Sequence, residues 1–181
     1  MAGNNRYTVL LDANVLYSVA ISDALMEVAA TGIYAAKWSR QVDEEWVRNI
    51  AKNKGRPEID FHTRRDLMHD VCPDWEAPEE AWMLIEPSLK LPDVNDRHVL
   101  AAAIAGHADS IVTINIKDFP ASELNPLGIT ALHPDEFLLQ QLELEPLVVL
   151  PAFTPEKFAD VLERNGLIQT AAFLRQALQL I

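Results

Sequence analysis

Basic residues are scarce in this 181-residue chain, with 15 Lys and Arg against 27 Asp and Glu and a formal charge of −12. That balance excludes a protein gripping nucleic acid with its whole surface, since neutralising phosphates takes Lys and Arg. Cysteine is scarcer still. Its one residue, Cys72, excludes an internal disulfide framework and a cysteine-based zinc site, and a lone Cys is more often a small core residue than a nucleophile. No glycine-rich run is available to cradle a phosphate, which argues against a nucleotide-binding enzyme. The first 21 residues hold neither a basic leader nor an unbroken apolar run, because Asp12 and Asn14 interrupt it. The expectation is therefore a soluble, cytoplasmic protein with no membrane association. What the chain does have is a hydrophobic fraction of 49%, enough for a sizeable core in one domain, or one domain with a small appendage.

The positive charge is unevenly spread. Residues 37–65 hold eight basic side chains (Lys37, Arg40, Arg48, Lys52, Lys54, Arg56, Arg64 and Arg65) against five acidic ones, a local +3, while the remainder carries −15. The cluster reads equally well as a solvated helix face or as a footprint for an RNA backbone, with Lys52, Lys54 and Arg56 the candidate contacts. The acidic remainder could attract a basic protein partner.

Strand and helix signals alternate. Residues 7–11 form a short apolar run ending at Asp12-Ala13-Asn14, as a buried parallel strand would. Helical periodicity follows over residues 23–30, a second strand over 33–38, then a helix capped by Ser39 with Val42, Trp46, Val47 and Ile50 on one face until Gly55. A further helix opens at Pro57 and runs to about Val71. Residues 82–85 are a strand candidate, with a helical turn the close alternative. An alanine-rich helix spans 99–105, strands follow at 110–114 and 129–132, and a helix runs from Pro134 to about Leu142. Residues 145–151 read as a linker. Beyond it, Thr154 is a candidate N-cap before Pro155, with Phe158, Val161 and Leu162 on one helical face, and Leu167, Ala171, Leu174 and Leu178 continuing a similar stripe. The organisation expected is a domain over residues 1–144 and a helical extension over 145–181.

In a parallel sheet each crossover helix begins at the edge where the preceding strand ended. That rule brings Asp12, Glu45, Asp96 and Asp118 to the carboxyl edge, with Asn14, Thr113 and Asn115 as uncharged neighbours able to orient ligands or water. Carboxylates gathered there repel unless cations balance them, and oxygen-only donors favour Mg²⁺ or Mn²⁺ over zinc. Each acid also has a plain structural reading. Asp12 could form an Asx turn, Asp93 could cap a helix with Asp96 favouring its dipole, Asp43, Glu44 and Glu45 could be a solvated face, and Asp118 could cap a turn. His98 lies two residues beyond Asp96 and on helical spacing points to another face; His62, His69, His107 and His133 show no ligand spacing. Trp38, Trp46, Trp75 and Trp82 read as core or interface residues, with base stacking by Trp38 and Trp46 the lesser alternative. A phosphatase with Asp12 as nucleophile lacks the second Asp and downstream Lys expected of it.

The segments 9–16 (VLLDANVL), the helical Glu45, 93–103 (DVNDRHVLAAA) and 112–120 (VTINIKDFP) together resemble the PIN domain, over roughly residues 6–139. The resemblance implies a three-layer α/β/α sandwich around a five-stranded parallel sheet. It also implies Mg²⁺- or Mn²⁺-dependent cleavage of RNA, often by the toxin of a VapC-like toxin–antitoxin pair. Carried over, Asp12, Glu45, Asp96 and Asp118 are the catalytic and metal-binding quartet, and Asn14, Asp93, Thr113 and Asn115 are supporting positions. Glu45 is taken over Glu44 because it directly precedes the apolar pair Trp46-Val47. RNA is the implied substrate, an antitoxin the implied partner, and a homodimer a further option. The alternative is a PIN-like module that binds a protein or RNA and cleaves nothing.

Overall fold

Four short apolar runs pair side by side in the computed structural model, which describes residues 6–152 and 155–178. They are β1 (Thr8–Leu11), β2 (Ala35–Lys37), β3 (Ser110–Val112) and β4 (Thr130–Leu132), all parallel, in the order β2-β1-β3-β4. Leu10 stands opposite both Lys37 and Ile111, and Val112 opposite Leu132. Val9, Leu10, Leu11, Ile111 and Val112 are fully buried, which is why the two central strands, β1 and β3, are apolar on successive residues rather than alternating.

Between β1 and β2 lie α1 (Ala13–Tyr17) and α2 (Val19–Ala30). The long passage from β2 to β3 carries α3 (Arg40–Lys54), α4 (Ile59–Val71), α5 (Glu79–Ile85) and α6 (Arg97–Ala105). The helix α7 (Ala121–Leu124) precedes β4, and α8 (Pro134–Leu144), α9 (Pro146–Val149), α10 (Pro155–Arg164) and α11 (Ile168–Leu178) follow it. Ser39 caps α3, its hydroxyl accepting from the Val42 amide, and Gly55 ends the helix in the left-handed conformation at φ 61° that glycine adopts without strain. The alanines of α6 let that helix lie close on β1 and β3, with residues 99–103 buried throughout.

Three expectations need correction. Among the described residues the sheet has four strands, not five. Residues 82–85 belong to α5, a helix whose first turn carries Glu79 and Glu80, where acids favour the helix dipole. Beside β2 the extra pairing is a single parallel bridge between Trp38 and Glu76, closed by amides of Trp38 and Ala77 donating to the carbonyls of Trp75 and Trp38. Residues 145–151 are not an open linker: α9 and a 3₁₀ turn (Leu150–Ala152) occupy them, with Val149 buried.

The tail helices share the domain's core. Ala159, Leu162, Leu167, Ala171 and Leu174 are buried in the same apolar cluster as β1 and Phe158 packs against it, whereas Val161 is 39% exposed, so of the expected Phe158-Val161-Leu162 stripe Val161 alone departs and Ala159 joins the buried face. The expected cap at Thr154 and the side chain of Leu178 lie outside the described residues. No described helix is long and apolar enough to cross a membrane.

Candidate active site

The connections from β1 and β3 leave in opposite directions, toward β2 and toward β4, so a crevice opens at the carboxyl ends of these two neighbours. Asp12 stands there as the first residue beyond β1. It caps α1, its Oδ1 accepting from the Ala13 amide at 2.6 Å, while Oδ2 accepts from the Thr113 hydroxyl at 2.7 Å and the Asn14 amide at 2.6 Å. The Thr113 oxygen in turn accepts from Asn14 Nδ2 and from the Asn115 backbone amide, both at 3.0 Å. Asn14 Oδ1 accepts from the Ile114 amide at 3.1 Å. Asn14 and Thr113 thus clamp the loop after β1 to the loop after β3, and every polar atom of the clamp is used.

Asp12 is 6% exposed. Burial pushes its acid above the ordinary carboxylate range; the Thr113 and Ala13 hydrogen bonds oppose that, Glu45 adds to it and His98 relieves it. Asp96 ends a 3₁₀ turn (Val94–Asp96) directly before α6. Its acid is pushed up to about 6, first by burial, then by the carboxylates of Asp12, Asp93 and Asp118, with His98 pulling the other way. Asp93 caps that turn by accepting from the amide and side chain of Asn95 at 2.8 and 2.9 Å. Its predicted capping role therefore falls on the 3₁₀ turn, and Asp96 is itself the N-cap of α6 rather than part of its first turn. Asp118 closes a second 3₁₀ turn (Ile116–Asp118), anchored by the buried ring of Phe119.

Glu45, in the second turn of α3, is partly buried, with Oε2 3.5 Å from Nε2 of His98; Glu44 is exposed and faces Arg40. The expectation that His98 points elsewhere is corrected: the ring is 3% exposed and neighbours Glu45, Asp12 and Asp96. Spacing misplaces it because Asp96 lies outside the helix, so a fixed rotation per residue does not relate the two side chains.

Asp43 is also corrected. It is not on a solvated face but 5% exposed, with Oδ1 accepting from the indole N–H groups of Trp38 and Trp46 at 3.2 and 3.0 Å, and Oδ2 at 3.1 Å from His69 Nε2. His69 stacks on Trp75, and Trp75 on Trp38, so these groups hold α3 to α4. With Trp38 and Trp46 fully buried, neither presents a face for a nucleobase.

The acids are electrostatic neighbours rather than a closed cage: among the described residues no three His, Cys, Asp or Glu side chains stand as a metal-ligand cluster. The donor chemistry nonetheless fits a hard divalent cation, since the groups are carboxylate oxygens, and burial together with their mutual repulsion keeps Asp96 reluctant to ionise. A separate groove of about 610 Å³, lined by Tyr17, Val19, Ile50, Lys54, Phe158 and Val161 among others, contains none of the four acids.

The family profile described as PIN domain matches residues 8–117, taking in Asp12, Glu45 and Asp96 and stopping one residue short of Asp118. A Mycobacterium tuberculosis protein named "Putative ribonuclease VapC50" is 48% identical over 79 residues. That match covers 37% of this chain and 47% of the relative, so it spans less than half of the relative's length. No solved structure gives a significant match.

Proposed function

This chain belongs to the PIN domain family, and from that premise we propose that it is an endoribonuclease dependent on Mg²⁺ or Mn²⁺ and the toxin of a type II toxin–antitoxin pair. The observation that carries this reading is the placement of Asp12: buried, fixed by three hydrogen bonds at the β1/β3 crevice, and charge-coupled through Glu45 and Asp96 to the rest of the edge. Asp12, Asp96 and Asp118, with Glu45, would hold the ion. When bound, such an ion supplies Lewis-acid stabilisation to a phosphodiester undergoing displacement. The chain's own part is to fix where the charge sits: Asn14 and Thr113 lock Asp12, Asp93 stiffens the turn that presents Asp96, and Asn115 is tied to Thr113 by its backbone. Residues 1–144 would make the nuclease, in the three-layer form the family implies, and 145–181 a helical extension whose described helices pack on it. The acidic surface suits a basic antitoxin, a homodimer is a further assembly open to it, and the setting is the cytoplasm.

Among the described residues the acids do not close into a ligand cluster, which favours one rival, a PIN module that binds and does not cleave. Incubating the protein with cellular RNA in Mn²⁺ or EDTA separates the two. Asp96→Asn should keep its fold and cut cleavage by at least about 100-fold, because it removes charge that acts in the transition state. Cleavage that persists undiminished in that variant rejects the role of Asp96, and no Mn²⁺-dependent cleavage by the unaltered protein returns the rival.

A further inference from the structure

We propose that His98 is a positioning residue, a buried imidazole that steers the Glu45 carboxylate toward the crevice holding Asp12 and Asp96. The inference rests on the nuclease reading above and adds to it a residue that touches neither ion nor RNA. The ring occupies the second position of α6, 3% exposed, and addresses Glu45 with Nε2 at ion-pair distance, 3.5 Å from Oε2. Its other nitrogen, Nδ1, is buried without a hydrogen-bond partner, so among the described residues Glu45 is the acid this ring engages within 4 Å. Glu45 comes from α3 and Asp96 from the turn before α6. A rigid ring between the two elements couples them, and holding a flexible carboxylate in one place is what residues beside a metal ligand do. The bland alternative is that His98 merely fills space under α3. It predicts that any side chain of similar size will serve.

The test uses the full chain with His98→Leu, His98→Gln, Glu45→Gln and the double variant Glu45→Gln/His98→Leu. Leucine keeps volume without a donor, and glutamine restores an N–H near the position of Nε2. Mn²⁺ affinity is measured by calorimetry without RNA, kcat and KM with RNA, and folding by thermal melting. His98→Leu should weaken Mn²⁺ binding about 10-fold and lower kcat with little change in KM. His98→Gln should recover most of both, and the leucine change should cost nothing further once Glu45 is glutamine. Unaltered Mn²⁺ affinity in His98→Leu, glutamine no better than leucine, or full additivity in the double variant would each overturn the proposal. Should the leucine variant fail to fold, His98→Gln alone decides: near-unaltered affinity supports positioning, and a loss as large as that of Glu45→Gln overturns it. If Glu45→Gln itself leaves Mn²⁺ affinity untouched, it is Glu45's place in the nuclease reading that fails, an outcome distinct from a silent His98 beside a sensitive Glu45.

Discussion

Asp96 links the site's electrostatics to pH. Its acid lies near 6 in the folded protein against an ordinary 3.8, with burial the largest cause and Asp12, Asp93 and Asp118 next. A raised carboxyl favours the protonated fold. Its contribution to stability is fully present below the unfolded value and is lost as pH rises through the folded one, between 3.8 and about 6. In EDTA, the melting temperature should therefore fall as pH climbs from about 4 to about 6. The raised acids of Asp12 and Asp43 act in the same direction, so the share removed by Asp96→Asn isolates Asp96. A mutant with the same pH profile as the unaltered protein would contradict this. Ion and proton also compete for one carboxylate: at pH 6, Mn²⁺ uptake should release about half a proton from Asp96, seen as a buffer-dependent heat of binding. The placement of Asp12 and Asp96 was legible in the sequence because one follows a strand and the other begins a helix. Burial of Asp43 was not, since Trp38, His69 and Arg65 reach it from outside its own helix. Nor was the direction of His98, which depends on a 3₁₀ turn that apolar periodicity does not announce.

At the scale of elements, the tail is joined to the domain by one carboxylate as well as by apolar contact. Asp135 in α8 is 5% exposed and accepts from the Gln169 and Thr170 amides at 2.9 and 2.8 Å, capping the first turn of α11 from another helix. Thr170 returns the contact, its hydroxyl donating to the Asp135 carbonyl at 3.1 Å. Asp135→Ala would strand those donors at a helix start, at a cost of about 2 kcal/mol. Urea unfolding should show that loss, and hydrogen exchange should show α11 opening before the sheet; unchanged protection of α11 would mean that Leu167, Ala171 and Leu174 hold it unaided. Nothing in the sequence pairs Asp135 with residues more than 30 positions away, whereas α3 was readable end to end because Ser39, its apolar stripe and Gly55 are all local signals. The helix α5 was misread for the opposite reason: five apolar residues, 81–85, are too few to display a period, and strand and helix then look alike.

Charge over the whole molecule decides how an acidic protein could approach RNA. Half of the basic stretch is ion-paired within the fold: Arg40 pairs with Glu76, Arg56 with Asp60, Arg64 with Asp23 and Arg65 with Asp66, while Lys37 donates to the neutral Asp74 carbonyl. Among the described residues Arg48, Lys52 and Lys54 have no ion pair, and all three are exposed on α3. Glu45, Arg48 and Lys52 are three and four residues apart, so they share one stripe of the helix leading from the acidic edge to its C-terminal end. Lys54 lies off that stripe, in the groove with Tyr17 and Ile50. A backbone entering the crevice and running along α3 would meet Arg48 and Lys52 first, against the repulsion of a protein carrying −12 overall. Reversing Lys52, Lys54 and Arg56 together to Glu should weaken RNA binding and flatten its salt dependence. Each lost phosphate contact should lower the slope of log K against log salt by about 0.7 for a single strand. Taken singly, Lys52→Glu should cost the most and Arg56→Glu the least, because Arg56 is already held by Asp60 and lies over the Phe61 ring. In turnover experiments KM should rise with kcat nearly constant, the pattern of binding lost equally from ground and transition states. Equal affinities and slopes for the triple variant and the unaltered protein would put the RNA path somewhere other than α3.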